Sequence, residues 1–315
     1  MDYRDQSPVL AVIGFLLLLV GIAAALLGPV EMYCFYLFSE GGRFHYEGFG
    51  FGSFMFGNIA CQIVGYYVIA ILSIPLGYGH LKVRRWARTL SLTLLWFWLV
   101  VGLPLVVVFF FILVASQDLS LAAVLIGAVL LALSYLAAPG LLIRFYRSRN
   151  VRLTFENKDQ KSYGIEKLPL PILVLCSLYL FYSICLHIPV LFNGVFPLFG
   201  TLVSGLQGIL LLDASIMCLV LLTWGTLRAS AWAWWGSVAF FGSMTFSSLF
   251  TLFKSSYADI LAAMNFPPKE MELLGNAPLQ GSHFAVFIGI PLLLTIAAIV
   301  LSKRHFGAEN LASRR

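Results

Sequence analysis

Asp213 stands inside an apolar stretch, Gly208-Ile209-Leu210-Leu211-Leu212-Asp213-Ala214-Ser215. It is the only acid or base near the middle of such a stretch. A carboxylate in hydrocarbon costs several kcal/mol, so an ionisable residue there reads as functional by default. At about 100° per residue, Asp213 lies across the helix from Ser204 and Gln207. Asn58 and Gln62 give an earlier apolar run a similar polar content, and Tyr67 occupies the position corresponding to Asp213. Two chemistries follow. In one, Asp213, Gln207, Ser204, Asn58, Gln62 and Tyr67 contact a substrate or relay a proton. In the other, a protonated Asp213 hydrogen-bonds a neighbouring helix at Tyr179.

His45-Tyr46-Glu47 and His283, with His187 nearby, put imidazole and carboxylate toward one side of the chain. These groups bind metals, but their spacing matches no zinc or haem signature. No two apolar runs carry histidines at matching depth, so no cofactor is expected. Phe49-Gly50-Phe51-Gly52-Ser53-Phe54-Met55-Phe56-Gly57 lacks the Lys-Ser/Thr of a phosphate loop. It reads as an aromatic belt over a close helix contact through Ser53 and Gly57, or as an apolar pocket for a lipid or quinone-like molecule. No serine-hydrolase or zinc-protease motif is present, and the chain leans away from enzymes.

The elements that position these residues are apolar runs. The chain is 60% hydrophobic and 11% charged, where soluble domains average about 45–50% and about 25%. Eight runs reach the length of a membrane helix, about 20 residues: 8–28, 52–76, 91–115, 120–143, 169–192, 200–223, 234–254 and 284–301. They are continuous rather than alternating, which selects helices over a barrel. The first run follows Met1-Asp2-Tyr3-Arg4-Asp5, which lacks the net positive charge of a signal peptide, so it is expected to stay as a span. The five cysteines contain no Cys-x-x-Cys and read as small hydrophobes.

The net charge of +6 is sorted by loop rather than spread as a nucleic-acid patch. Seventeen of the twenty Lys and Arg fall in the N-terminus, the 77–90, 144–168 and 224–233 loops and the C-terminal tail. Arg43, Lys254 and Lys269 lie on the opposite side. The positive-inside rule places both termini in the cytoplasm, and an odd number of spans would break the sorting.

One segment occurs twice. Tyr78-Gly79-His80-Leu81-Lys82-Val83-Arg84-Arg85-Trp86-Ala87 returns 146 positions later as Trp224-Gly225-Thr226-Leu227-Arg228-Ala229-Ser230-Ala231-Trp232-Ala233. In both, glycine is expected to tighten a turn between adjacent helices. Lys82, Arg85, Trp86, Arg228 and Trp232 are expected at the membrane interface. The expected fold is all-α: eight transmembrane helices as two parallel four-helix repeats, 1–155 and 156–315. Each repeat carries its own insertion, the outer loops 31–51 and 255–283. Within the latter, 257–264 is expected to form a short interfacial helix ended by Asn265-Phe266-Pro267-Pro268. Residues 151–155 read as a strand or an amphipathic turn. The expected role is a non-catalytic accessory or scaffold subunit in a prokaryotic cell membrane, binding lipids, other subunits or a second copy. The alternative is a transporter or permease for a small or lipophilic substrate that uses Asp213.

Overall fold

The computed structural model describes residues 3–46, 48–50, 52–115, 120–276 and 279–307. Among the described residues, eight helices are long and apolar enough to cross a membrane. Spans one to three are α1 (Ser7–Phe38), α2 (Phe54–Leu81) and α3 (Arg85–Ala115). Span four is α4 (Leu121–Ala132) and α5 (Ala138–Arg147), joined by a π turn at Leu133–Ala137. The short α6 (Arg149–Lys158) follows, and span five is α7 (Leu170–Cys185) with α8 (Ile188–Leu191). A hairpin of β1 (Phe196–Leu198) and β2 (Thr201–Val203) leads into α9 (Gly205–Leu227) and α10 (Ala231–Lys254). The far-side helices α11 (Tyr257–Met264) and α12 (Pro268–Gly275) precede the last span, α13 (Gly281–Leu301).

Helices pair as hairpins: α1 with α2, α3 with α4 and α5, α7 with α9, and α10 with α13. The first four spans meet the last four where α3 packs on α7 and α13. Lipid tails are as apolar as leucine, so these pairs depend on close approach and hydrogen bonds rather than on a hydrophobic drive. Gly14, Gly21 and Gly28 line one buried stripe of α1. A Cβ on Gly14 would lie 2.8 Å from the Gly77 carbonyl oxygen, and one on Gly77 would lie 2.7 Å from the Gly14 oxygen. Backbone thus meets backbone. The α10 seam uses hydroxyls instead. Ser237, Thr245, Ser248 and Thr251 are buried, and the Trp234 indole donates to the Ile299 carbonyl at 2.9 Å.

Both copies of the repeated segment build one turn. Arg84 N donates to Gly79 O and Val83 N to His80 O; Ser230 N donates to Gly225 O and Ala229 N to Thr226 O. This is the Schellman pattern that ends a helix on a left-handed residue. That residue is not glycine: Val83 and Ala229 both take φ of 49°, at about 1–2 kcal/mol each. The expectation that Gly79 and Gly225 make the turn is corrected. They instead leave room for the rings of Trp86 and Trp232.

Three further expectations change in detail. α1 runs to Phe38, so the 31–51 loop begins inside a helix. Residues 151–155 lie in α6, with Val151, Thr154 and Phe155 buried against the first four spans. The 257–264 helix forms and ends on left-handed Asn265. Its Ile260, however, packs with Leu252 and Ala285 rather than in headgroups, Met264 lies against that cluster, and Leu261 is buried too.

α6 is strapped to the basic side. Thr154 accepts from Tyr3 and from Gln6 N. Asp159, 4% exposed, accepts from Arg85 N and Lys161 N at 3.2 Å each and meets Arg84 at 3.6 Å. Burial alone would raise this carboxyl. The Arg85 and Lys161 N–H groups, Tyr163 and Arg84 outweigh it and hold the carboxyl below its ordinary value. A depressed pKa stabilises above the ordinary value, about 3.9, and loses that contribution as pH falls through the depressed one.

Two outcomes are expected from thermal unfolding in detergent. Gly225→Ala, whose Cβ would sit 2.7 Å from the Ala233 Cβ, destabilises by about 1–3 kcal/mol. Gly242→Ala, in open space, does not; equal effects would reject the ring-packing account. Asp159→Asn reduces the loss of stability below about pH 4, and an unchanged acid limb would show that this carboxyl contributes nothing.

Candidate functional site

The hairpin before α9 moves the start of span six from about residue 200 to Gly205. Asp213 therefore lies eight residues, about 12 Å, from the far end of α9, shallower than the run of apolar residues implies. α9 buries Leu212, Ser215, Leu219 and Leu222. Asp213 and Gln207 are on the opposite, exposed face, with Leu206, Leu210, Met217, Val220 and Leu221. This corrects the expected Asp213–Tyr179 hydrogen bond. Tyr179 is fully buried, stacks on Phe241 with centroids 5.3 Å apart, and faces Thr226 and Ser237. Thr226 is about 20 Å along α9 from Asp213. Among the described residues the Tyr179 and Thr226 hydroxyls make no hydrogen bond.

The other expected polar residues do not converge. Ser204 is the N-cap of α9. Asn58, Gln62 and Tyr67 are exposed along α2, and the Tyr67 ring lies over Gly28. None of these, nor Asp213, lines either large cavity.

The histidines are separate as well. His45 is exposed with φ of 44°, and Glu47 lies outside the described residues. His283 Nδ1 accepts from Gln280 N at 3.2 Å, and His187 Nδ1 donates to the Ser183 carbonyl at 2.7 Å. Among the described residues no three metal-binding side chains gather. At the basic turns, Lys82 is exposed and Arg85 pairs with Glu166 at 2.8 Å. Trp86 and Trp232 cover their glycines, and Arg228 sits 3.9 Å above the Trp224 ring.

Each set of four spans holds an apolar cavity. The second set encloses about 510 Å³ between its two hairpins, lined by Tyr182, Leu212, Leu219, Phe241 and Leu292 among others. The β-hairpin and α11 cover its far end. Irregular backbone at this depth persists only where protein satisfies it, and α10 does so. Ser247 Oγ accepts from Phe199 N at 2.9 Å and donates to Pro197 O at 2.8 Å, and Thr251 accepts from Gly200 N at 2.8 Å. Phe199 and Gly200 both have positive φ, as a tight two-residue hairpin turn requires.

The first set encloses about 580 Å³ between the α1–α2 pair and the α3–α4–α5 pair. Its basic-side end is polar. His80 is fully buried; its Nδ1 is 2.7 Å from Leu76 O, and its Nε2 is 2.7 Å from Tyr146 Oη and 3.5 Å from Ser91 Oγ. Tyr135, on the π turn, lines the same cavity. That turn has a covalent cause: Pro139 has no N–H for the Tyr135 carbonyl, and Ala138 N bonds back to Leu133 O. Sequence reading passed over His80, Ser91 and Tyr146. The available signal was the mismatch of His80 with Thr226 in otherwise matching segments.

Comparison with protein-family models, with curated proteins and with solved structures finds no match to this chain. Functional inference therefore rests on the geometry. Ser247→Ala is expected to cost about 1–3 kcal/mol by leaving two backbone groups of the hairpin unpaired. Unchanged thermal stability, with the hairpin still ordered by hydrogen exchange, would show that Ser247 is dispensable to it.

Proposed function

We propose that this protein is a non-catalytic accessory subunit of a membrane assembly, and that α9 receives a helix of another membrane protein. The observation that carries the reading is the outward placement of Asp213. A lipid-facing carboxylate costs about 2.5–3.5 kcal/mol near the centre of a helix, somewhat less at the depth of Asp213. Nothing in the described chain offsets that cost, because every Lys and Arg lies in a loop or within a turn or two of a span end. A second copy in the same orientation brings another Asp213 and no cation. A partner helix carrying Lys or Arg at that depth satisfies the carboxylate. The outward residues Leu206, Leu210, Met217, Val220 and Trp224 recur at the three- and four-residue spacing of a helix seam.

The transporter reading is weaker for two reasons. The polar residues it needs are dispersed on outer faces, and the cavities are apolar. The rest of the architecture is inferred on the same footing. The two matching turns, the same hairpin pairing in each half and one cavity per half support two parallel four-helix repeats. The sorted cations support cytoplasmic termini in a cell membrane.

The test is a photo-crosslinking residue placed at Leu210 or Met217 in native membranes, with Leu125 on the exposed side of α4 as control. A discrete crosslink to another membrane protein is expected at the two α9 positions only, weakened about tenfold by Asp213→Leu. Crosslinks to lipid alone at all three positions would refute the subunit reading, and a crosslink to a second copy would replace the partner with a homodimer.

A further inference from the structure

We propose that the first-half cavity is a binding site for a neutral long-chain alcohol, an isoprenoid or acyl lipid whose single hydroxyl docks against Tyr146 and Ser91. The site is independent of the α9 face.

Shape and polarity define the ligand. The cavity follows α3 from Ser91 to Leu105, fourteen residues or about 21 Å, so its guest is elongated. Its wall includes Ile13, Leu72, Leu94, Trp98 and Val101, and no charged side chain lines it. A phosphate or carboxylate would be buried there without a counter-ion, at a cost of several kcal/mol. The guest is therefore neutral. Trp98 and Leu142 on its wall are exposed, so the space is a cleft that a membrane lipid can enter, not a sealed void.

Hydrogen-bond accounting defines the head group. The Leu76 carbonyl can only accept, so in the neutral ring His80 carries its proton on Nδ1 and Nε2 is an acceptor. Tyr146 is then the donor in its 2.7 Å contact with Nε2. Its phenol proton points away from the cavity, and its oxygen has acceptor capacity both for the Ser91 hydroxyl and for a guest. The Ser91 hydroxyl, 3.5 Å from Nε2, is turned to the same pair. The network commits its protons inward and offers oxygen lone pairs to the cleft. A guest that donates a proton, an alcohol, completes it; an ether or ester does not. The π turn adds a second feature, since the bulge sets Tyr135 beside Gly102 and edge-on to Trp98 with centroids 6.3 Å apart. π-bulges recur at functional sites.

The orientation agrees with this chemistry. Tyr146 is the penultimate residue of α5, and His80 lies in the last turn of α2. The polar end thus sits at the basic membrane boundary, and the apolar length runs toward the bilayer centre. That is the pose of a lipid alcohol in that leaflet. The matching cluster in the second half has Thr226 where the first has His80. It leaves Tyr179 unpartnered, and its cavity is not lined by that tyrosine. The second cavity is lined by Tyr182 and Ser248, but the Tyr182 hydroxyl is engaged with Thr295 at 2.8 Å, so the His80-centred end is particular to the first cavity.

The experiment measures binding of radiolabelled geranylgeraniol, of its methyl ether and of dioleoylglycerol to the full chain in detergent, using wild type, Ser91→Ala and Leu72→Trp. The alcohol is expected to bind at one site per chain, and the ether about 3- to 10-fold more weakly. Ser91→Ala lowers alcohol affinity by a similar factor and narrows the gap to the ether. Leu72→Trp abolishes binding by filling the cleft while the protein still elutes as a single species. Preference between the prenyl alcohol and the diglyceride identifies the chain class, and either result supports the site. Equal binding of alcohol and ether, binding that survives Leu72→Trp, or no binding of either alcohol overturns the proposal.

Discussion

Close approach of helix backbones is the constraint on which this structure depends. Water makes burial of apolar side chains favourable, but a bilayer offers no such gain between helices. Gly14, Gly21 and Gly28 let α1 lie against α2 at backbone distance, and hydroxyls along α10 do related work in the second half. Such seams make tight pairs. They do not make uniformly packed bundles, because the large side chains of each pair point away from its seam. The space left between two tight pairs is a cavity, and each half has one.

The repeated turn shows how one local solution serves two places with different consequences. A Schellman end, a non-glycine left-handed residue and a tryptophan over glycine occur at both. Among the positions that differ is the buried side chain one position after the glycine. His80 gathers Tyr146 and Ser91 into a network, whereas Thr226 leaves Tyr179 unbonded. Within one shared turn geometry, the histidine builds a polar network at the end of the first cavity that the threonine does not build in the second half.

Polar groups elsewhere divide between inside and outside. The hairpin, the α6 strap and the basic turns place theirs inward, in defined bonds to Ser247, Thr154 and Asp159. On the far side, Glu270 of α12 accepts from Phe54 N and Met55 N at the start of α2, tying the last four spans to the first across the opening of a helix. Asp213 faces outward instead, as Asn58 and Gln62 of α2 do, and of these three it is the ionisable one.

The sequence by itself determined the membrane class, the eight spans, the repeated turn and the short helix ending at Asn265. Each follows from local sequence: runs of apolar residues leave the backbone no partner but itself, and Asn265 followed by Pro267-Pro268 ends a two-turn helix, although Pro29, Pro75, Pro104 and Pro291 lie inside the long spans. The tertiary structure alone decided which way each polar residue faces. Helical periodicity places Asp213 opposite Ser204 but does not say which side meets lipid; the burial of Leu212 and the packing of Leu219 with Leu175 and Leu178 of α7 do. The Asp213–Tyr179 bond failed for that reason, and because the hairpin at 196–203 shifted the start of α9. His80, Ser91 and Tyr146 converge from three helices, and no spacing along the chain encodes that meeting. It exists only because the α2–α3 turn and the close of α5 end at the same depth.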